Sequence, residues 1–403
     1  MAVLSTPVQA PPRPYGRIIP PRRRLQIAWA LLVLNVLTFY PEAPHLIPIP
    51  VDIGRLITQG ALVVALMMVL SVNRPARVRP SVFIFLYAAL GVLALVTSLG
   101  AEFMFGAIFR AGRMLLVIAV LWLLSPWWSH QLLLLKSHLV ALWCVLGTVV
   151  VGFGIAPGLA FQDSRITGVL WPIPPTQVAH YAAVAVGLTV VLWLYGLLRW
   201  EVTTIAVAVG VTILITTHTR TALIALVAAL FVAGLSLFTI RSRVRRVFAV
   251  GAVAASIVAL TLSSVITTWL ARDQNADELA ALTGRRQTWE LVLSQPRDTF
   301  EMLFGFGVSN KSFNGLPIDS NWVATYHDLG LVGVTLSAAT VLFVLVAAAF
   351  RPRGPKRALA LFLVAYCFVA SFAETGLSDA SPYLLELTLA ASLVIGRSRG
   401  EGP

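Results

Sequence analysis

The sequence predicts an all-α polytopic membrane protein with about twelve transmembrane helices and one large extracytoplasmic loop. Of 403 residues, 58% are hydrophobic and only 12% are charged, with mean hydropathy +0.85; soluble domains carry about 25% charged residues. The apolar residues fall in runs of the length needed to cross a bilayer, about 20 residues. One long stretch, 282–331, breaks the pattern with charge, amides, hydroxyls and turn residues: LTGRRQTWELVLSQPRDTFEMLFGFGVSNKSFNGLPIDSNWVATYHDLGL. Sites concentrate in loops held by a rigid scaffold, so chemistry is expected there.

In chain order, residues 1–24 are Pro- and Arg-rich with no apolar core, which predicts a disordered cytoplasmic tail rather than a cleaved signal peptide. Nine spans follow within 25–268, at 25–40, 55–72, 81–98, 108–124, 131–151, 176–198, 202–217, 221–240 and 247–268. The polar loop occupies 269–321, and three more spans, 322–350, 358–372 and 383–395, complete the membrane part to residue 396. Residues 397–403 form a second cytoplasmic tail. Cys144 and Cys367 both lie inside apolar runs and read as small packing residues. No metal-type Cys/His spacing occurs, and neither a metal nor a cofactor is expected.

Charge sets the orientation. With both termini cytoplasmic, 20 of the 30 Lys and Arg fall inside, as the positive-inside rule favours. The runs RSRVRR at 241–246 and RPRGPKR at 351–357 then act as topology anchors beside anionic lipids. A net charge of +13 and a pI near 10.6 are thereby accounted for without nucleic acid. The other ten bases are Arg55, Arg110, Arg113, Arg165, Arg220, Arg272, Arg285, Arg286, Arg297 and Lys311. They fall on or near the outer face against their usual preference, and an anionic ligand on that side is the expectation. Most acids fall there too, including Glu42, Asp52, Asp163, Asp319 and Asp328.

Four arginines stand out. Only a few residues separate the seventh and eighth runs, so His218 and Arg220 should tip a tight helical hairpin, with Arg220 at a helix start. Guanidinium, backbone NH groups and the positive dipole end would together hold a phosphate; the alternative is an interfacial arginine reaching lipid headgroups. Arg165 belongs to FQDSRITGVLWPIPP, a loop stiffened by Gly168, Pro172, Pro174 and Pro175 that could fold over a cavity, although Asp163 could instead neutralise it. In GRRQTWELVLSQPRD, Arg285 or Arg286 opens an amphipathic helix with Trp289, Val292 and Leu293 on one side. Arginine is unfavourable at a helix start, and a bound anion would compensate. Glycines 305 and 307 of the GFG triplet resemble a phosphate cradle weakly and a tight turn more strongly.

Asp319, Ser320, Asn321, Tyr326, His327 and Asp328 crowd into IDSNWVATYHDLGLVG before the tenth span. Asp319 beside Asn321 could act as a general base on a sugar hydroxyl; equally, Asp319 or Ser320 could cap the helix. His327 is a second base candidate. His45, His130, His138 and His180 read as structural.

Together SRITGVL, TRTALIALVAAL, GRRQTWELVL, LFGFGVSN and IDSNWVATYHDLGLVGV, spread over roughly 160–345, resemble the O-antigen ligase and polymerase superfamily of membrane glycosyltransferases. The resemblance implies a GT-C-like fold in a bacterial cytoplasmic membrane. It implies metal-independent, inverting transfer of a glycan from a polyprenyl-diphosphate carrier to a glycan or glycolipid hydroxyl on the outer face. In the family, external arginines hold the diphosphate; they correspond to Arg165, Arg220 and Arg285 or Arg286. Family ligases place a histidine just before the asparagine of the closing motif. This chain has Ser320 before Asn321 and Asp319 one further back, so either a polymerase-like member or Asp319 in the role of base is expected.

Two other classes fit the composition. One is a GT-C enzyme that uses a phosphate-linked monosaccharide and a first-loop carboxylate, Asp52 or Glu42. The other is a transporter or flippase for a lipid-linked sugar, which the long external loop and the absence of an obvious internal repeat disfavour.

Overall fold

The computed structural model describes residues 21–128, 132–261 and 285–395. Outside the described residues lie the tails 1–20 and 397–403, His130, the end of the ninth span, and the loop stretch 269–284 with Arg272. Each of the twelve apolar runs contains a helix, although the first stops at Asn35, short of residue 40. These are α1 (Pro21–Asn35), α2 (Val51–Val72), α3 (Val82–Thr97), α4 (Met104–Leu123), α5 (Leu133–Ile155), α6 (Pro175–Tyr195), α7 (Trp200–Thr216), α8 (Arg220–Phe238) and α9 (Ser242–Thr261), then α12 (Asn321–Phe350), α13 (Pro355–Ala370) and α14 (Pro382–Ile395). Among the described residues of the polar stretch between α9 and α12 lie two short helices, α10 (Arg285–Ser294) and α11 (Thr299–Phe304). Helix α1 begins at Pro21, so the last residues assigned to the tail are helical.

Seven of the described helices, α2 to α6, α8 and α12, are long and apolar enough to cross a membrane. Helices α7 and α14 are apolar but shorter. The chain is thus helical and suited to multiple membrane crossings. Helix α6 is the centre: 83% of its apolar window is buried, against 33–44% in the other six. It packs on α5, α7, α8 and α13, and α13 in turn packs on α8, α12 and α14. Small residues make this possible, because helices in an apolar solvent gain by close backbone approach. At Gly187 of α6 a Cβ would lie 1.9 Å from the Phe362 ring of α13.

Hydrogen bonds between the connecting segments bring the C-terminal ends of α1, α3, α5, α7 and α13 to one end of the bundle with the N-terminal ends of α2, α4, α6, α8, α12 and α14. Contacts across that end include Tyr40 N to Pro172 O (2.8 Å) and Asn321 N to Ser371 O (2.9 Å). The runs 241–246 and 351–357 lie at the other end and touch helix C-termini. Arg243 donates to Trp193 O (2.7 Å) and Arg351 to Val394 O (2.8 Å), while Arg241 stacks over Tyr195 at 4.1 Å. A cation there meets the negative end of the helix dipole, so these residues close helices as well as carrying charge.

Helix α12 is bent at Gly330, whose φ of 62° and ψ of −163° lie in a region open essentially to glycine alone. The bend admits the chain that follows α11. Phe306 N bonds His327 O (3.1 Å), Gly307 N bonds Asp328 O (2.9 Å), and a Cβ on Gly330 would fall 2.3 Å from the Leu303 carbonyl carbon. The GFG triplet is therefore a tight turn docked on a bent helix. Replacing Gly330 by Ala should cost at least about 1–3 kcal/mol in backbone strain and lower the melting midpoint of the solubilised protein. Gly106→Ala, at an exposed helical position with open space around it, should leave that midpoint within a degree or two.

Candidate functional site

The end of the bundle that gathers the helix termini of α1, α2, α6, α13 and α14 holds a cavity of about 420 Å³. Its wall is polar. Asn35, Gln59, Thr58, Thr176 and Gln177 line one part, and Arg55, Arg113, Lys311, His180, Glu374 and Asp379 supply charge or titratable groups. Helix α1 stops at Asn35, and the extended residues after it are held by Gln177 of α6. Its Oε1 accepts from Thr38 N (2.8 Å), and its Nε2 donates to Val36 O (3.0 Å). Asn35 Nδ2 donates to Thr58 O of α2 at 2.9 Å.

The opposite wall is the loop 371–381 between α13 and α14, and it is clamped by α12. Asn321 Oδ1 accepts from Gly376 N (3.2 Å) and Leu377 N (2.9 Å), and Thr325 Oγ1 meets Ser378 Oγ at 2.9 Å. Arg113 of α4 reaches the same loop, donating to Ala380 O (3.0 Å) beside Asp379 (3.9 Å). Lys311 arrives by a β-hairpin, β3 (Ser312–Phe313) and β4 (Leu316–Pro317), turned by Asn314 and Gly315, both at positive φ. Paired Asn-Gly residues at positive φ are the favoured two-residue hairpin turn. The Lys311 ammonium pairs with Asp328, which is fully buried beside the bend in α12.

Three of the four arginines singled out in the sequence belong to this end. Arg165 sits on β2 (Arg165–Ile166), paired with β1 (Phe161–Gln162) through a turn in which Asp163 and Ser164 have positive φ. Its Nε donates to Thr217 O (2.8 Å) and its guanidinium to Thr219 Oγ1 (3.0 Å), so it rests on the turn from which α8 starts at Arg220. Arg285 Nε lies 3.2 Å from Asp319 Oδ2, which ties the start of α10 to the start of α12. Arg286 points elsewhere, forming an exposed i,i+4 pair with Glu290 at 2.8 Å. Of the two candidates opening α10, Arg285 is the one that acts on the cavity carboxyl of Glu374.

No protein-family model matches this chain, and no curated protein matches it.

The candidate bases separate clearly. Asp319 is ion-paired, with a side chain 41% exposed. Asn321 is buried, and its carbonyl oxygen is occupied by the two loop NH groups; no side-chain cap closes α12, whose N-cap is Ser320. His327 packs between the rings of Phe306 and Phe313 and is not among the residues that line the cavity. Glu374 and Gln177, to which the sequence drew no attention, do line it, and so does His180, which reads as structural in the sequence and whose Nε2 lies 2.6 Å from the fully buried Glu386. Burial is the main cause that raises the Glu374 carboxyl, to about 7; nearby Arg285 opposes it, Asp319 adds to it, and His180 and Arg165 oppose it. Those interactions bring Arg165 and Arg285 into the field of one cavity carboxylate. Neither FAETGLSDASP nor THTRT carries a local signal of that convergence.

The loop clamp is testable directly. Asn321→Ala leaves two buried NH groups without their acceptor, at about 1–3 kcal/mol. Amide exchange at Gly376 and Leu377 should then accelerate on the order of 10–100-fold, while Asn321→Asp, which keeps an acceptor oxygen, stays near the wild-type rate.

Proposed function

We propose that this chain is a membrane glycosyltransferase that moves a glycan from a polyprenyl-diphosphate carrier to a hydroxyl of a glycan or glycolipid, without a metal and with inversion. The observation that supports it most is that Arg165 and Arg285, from separate parts of the sequence, act on one carboxyl, Glu374, that lines a polar cavity, although Arg165, Arg220 and Arg285 are not themselves among its lining residues. Arg165 lies on the turn that begins α8 at Arg220. A diphosphate attached to an anomeric carbon is already a good leaving group. The protein has to neutralise the charge that develops as it leaves and remove a proton from the attacking hydroxyl. Arg165, Arg220 and Arg285 supply the charge, with the N-terminus of the 19-residue helix α8 adding its dipole. Guanidinium is suited to this because its planar fork matches phosphate oxygens. The amide- and hydroxyl-rich wall of Asn35, Gln59, Thr176 and Gln177 suits sugar hydroxyls.

In this reading the cavity end of the bundle faces out of the cytoplasm and the basic runs 241–246 and 351–357 face in, as the positive-inside rule requires. Asp319 orients Arg285 through their ion pair and is not the first choice for the base.

The purified protein, supplied with a synthetic polyprenyl-diphosphate oligosaccharide, should form a new glycosidic bond with inverted anomeric configuration. Arg220→Ala or Arg285→Ala should lower the rate about 100-fold or more, and Arg286→Ala less than about threefold. Equal rates for all three variants would remove the arginines from the mechanism. Movement of the lipid-linked sugar across the bilayer without bond formation would replace transfer by transport.

A further inference from the structure

We propose that Glu374 is the general base that takes the proton from the acceptor hydroxyl. This rests on the glycosyl-transfer reading above. Two carboxylates line the cavity, Glu374 and Asp379. Asp379 is committed: it lies 3.9 Å from Arg113 and accepts from Ala380 N at 2.6 Å. The carboxylates around it are committed as well, Asp319 to Arg285, Asp328 to Lys311 and Glu386 to His180. Among the described residues, no hydrogen bond or ion pair engages the Glu374 carboxyl. A half-buried acid that faces a cavity with its oxygens uncommitted has them available to a ligand.

Its position is fixed rather than loose. The loop that carries it is fastened by Asn321 at Gly376 and Leu377, by Thr325 at Ser378, and by Ser381 Oγ donating to Gly376 O at 2.5 Å. A base must hold its geometry within a few tenths of an ångström to act, and these bonds supply that support. Around it, Arg285 of α10, Arg165 of β2 and His180 of α6 favour the ionised form, and Asp319 opposes it. Arg55 of α2, Arg113 of α4, Lys311 and Asp379 complete the charged lining. Burial outweighs the cations and leaves the carboxyl titrating at about 7, so it is a far better proton acceptor than an ordinary exposed glutamate.

The step balances. The acceptor oxygen forms a bond to the anomeric carbon as its proton passes to a Glu374 carboxylate oxygen. The bond from the anomeric carbon to the diphosphate oxygen breaks, and its electron pair leaves with the diphosphate, held by the arginines. Glu374 then releases the proton to water and is ready again.

The test is the rate of transfer by the full chain in lipid nanodiscs, with the synthetic polyprenyl-diphosphate oligosaccharide as donor and acceptor, between about pH 5.5 and 8.5. The active form is the carboxylate, so the wild-type rate should rise about tenfold per pH unit below a midpoint near 7 and level off above it. Glu374→Gln should lose about 10²–10⁴-fold and the pH limb with it, while donor binding stays within about twofold. Glu374→Asp should keep the limb at a reduced rate, and Asp319→Asn should keep it too. If Glu374→Gln fails to bind donor, Glu374→Asp decides: a retained limb supports the assignment and a lost limb overturns it. A Glu374→Gln variant with wild-type rate and limb overturns the assignment and leaves the glycosyltransferase reading standing. A wild-type protein that forms no glycosidic bond overturns both.

Discussion

One carboxamide holds the site together. Asn321 stands at the first turn of α12, buried, and its oxygen receives the NH groups of Gly376 and Leu377 while its own NH donates to Ser371 O. Those bonds join the helix that follows the polar stretch to the loop that closes the cavity. Asp319, two residues before Asn321, carries Arg285 with it, and Glu374, two residues before Gly376, is placed by the same bonds. A basic group from the polar stretch and an acid from the last connection are thus set relative to each other by one buried side chain. A buried carbonyl oxygen is costly unless it is satisfied, and the two loop NH groups satisfy that of Asn321, whose Nδ2 is buried without a partner among the described residues.

The remaining charges obey a similar economy. An ion held among apolar helices needs a partner or an exit to water. At the cavity end Lys311 pairs with Asp328, Arg113 with Asp379, and His180 with Glu386. Arg165 is bonded to the backbone and hydroxyl of the turn before α8. At the far end Arg243 and Arg351 meet helix C-termini. Against that background Glu374, a cavity-lining carboxylate that has no hydrogen bond or ion pair among the described residues, stands where chemistry is expected.

The helices were legible in the sequence because apolar runs of bilayer length have few other solutions. The start of α8 at Arg220 was legible too, since only a few residues separate two apolar runs and the helices must turn back there. The sequence left Arg285 and Arg286 equivalent. Helical geometry separates them, because Arg286 has Glu290 one turn on and Arg285 faces Asp319 across a gap of 34 residues. Asn-Gly at 314–315 is a readable turn signal, but that the hairpin delivers Lys311 to the cavity depends on the bend at Gly330. Glu374 could not be found by pattern: its neighbours are small and polar, and its surroundings come from α6, β2, α10 and the residues before α12. Asn321 looked like a participant in catalysis because it is an amide beside a carboxylate; the structure uses it to hold backbone.

The central claim is that grouped guanidiniums hold a lipid diphosphate. Equilibrium binding of a polyprenyl diphosphate and of the polyprenol of equal chain length, to the same protein in nanodiscs, tests it most directly because the two ligands differ only in the charged group. Charge-assisted hydrogen bonds of about 1.5–3 kcal/mol each, from two or three arginines, predict at least about a 100-fold preference for the diphosphate. That preference should shrink as salt is raised. Equal affinity for the alcohol and the diphosphate would contradict the account.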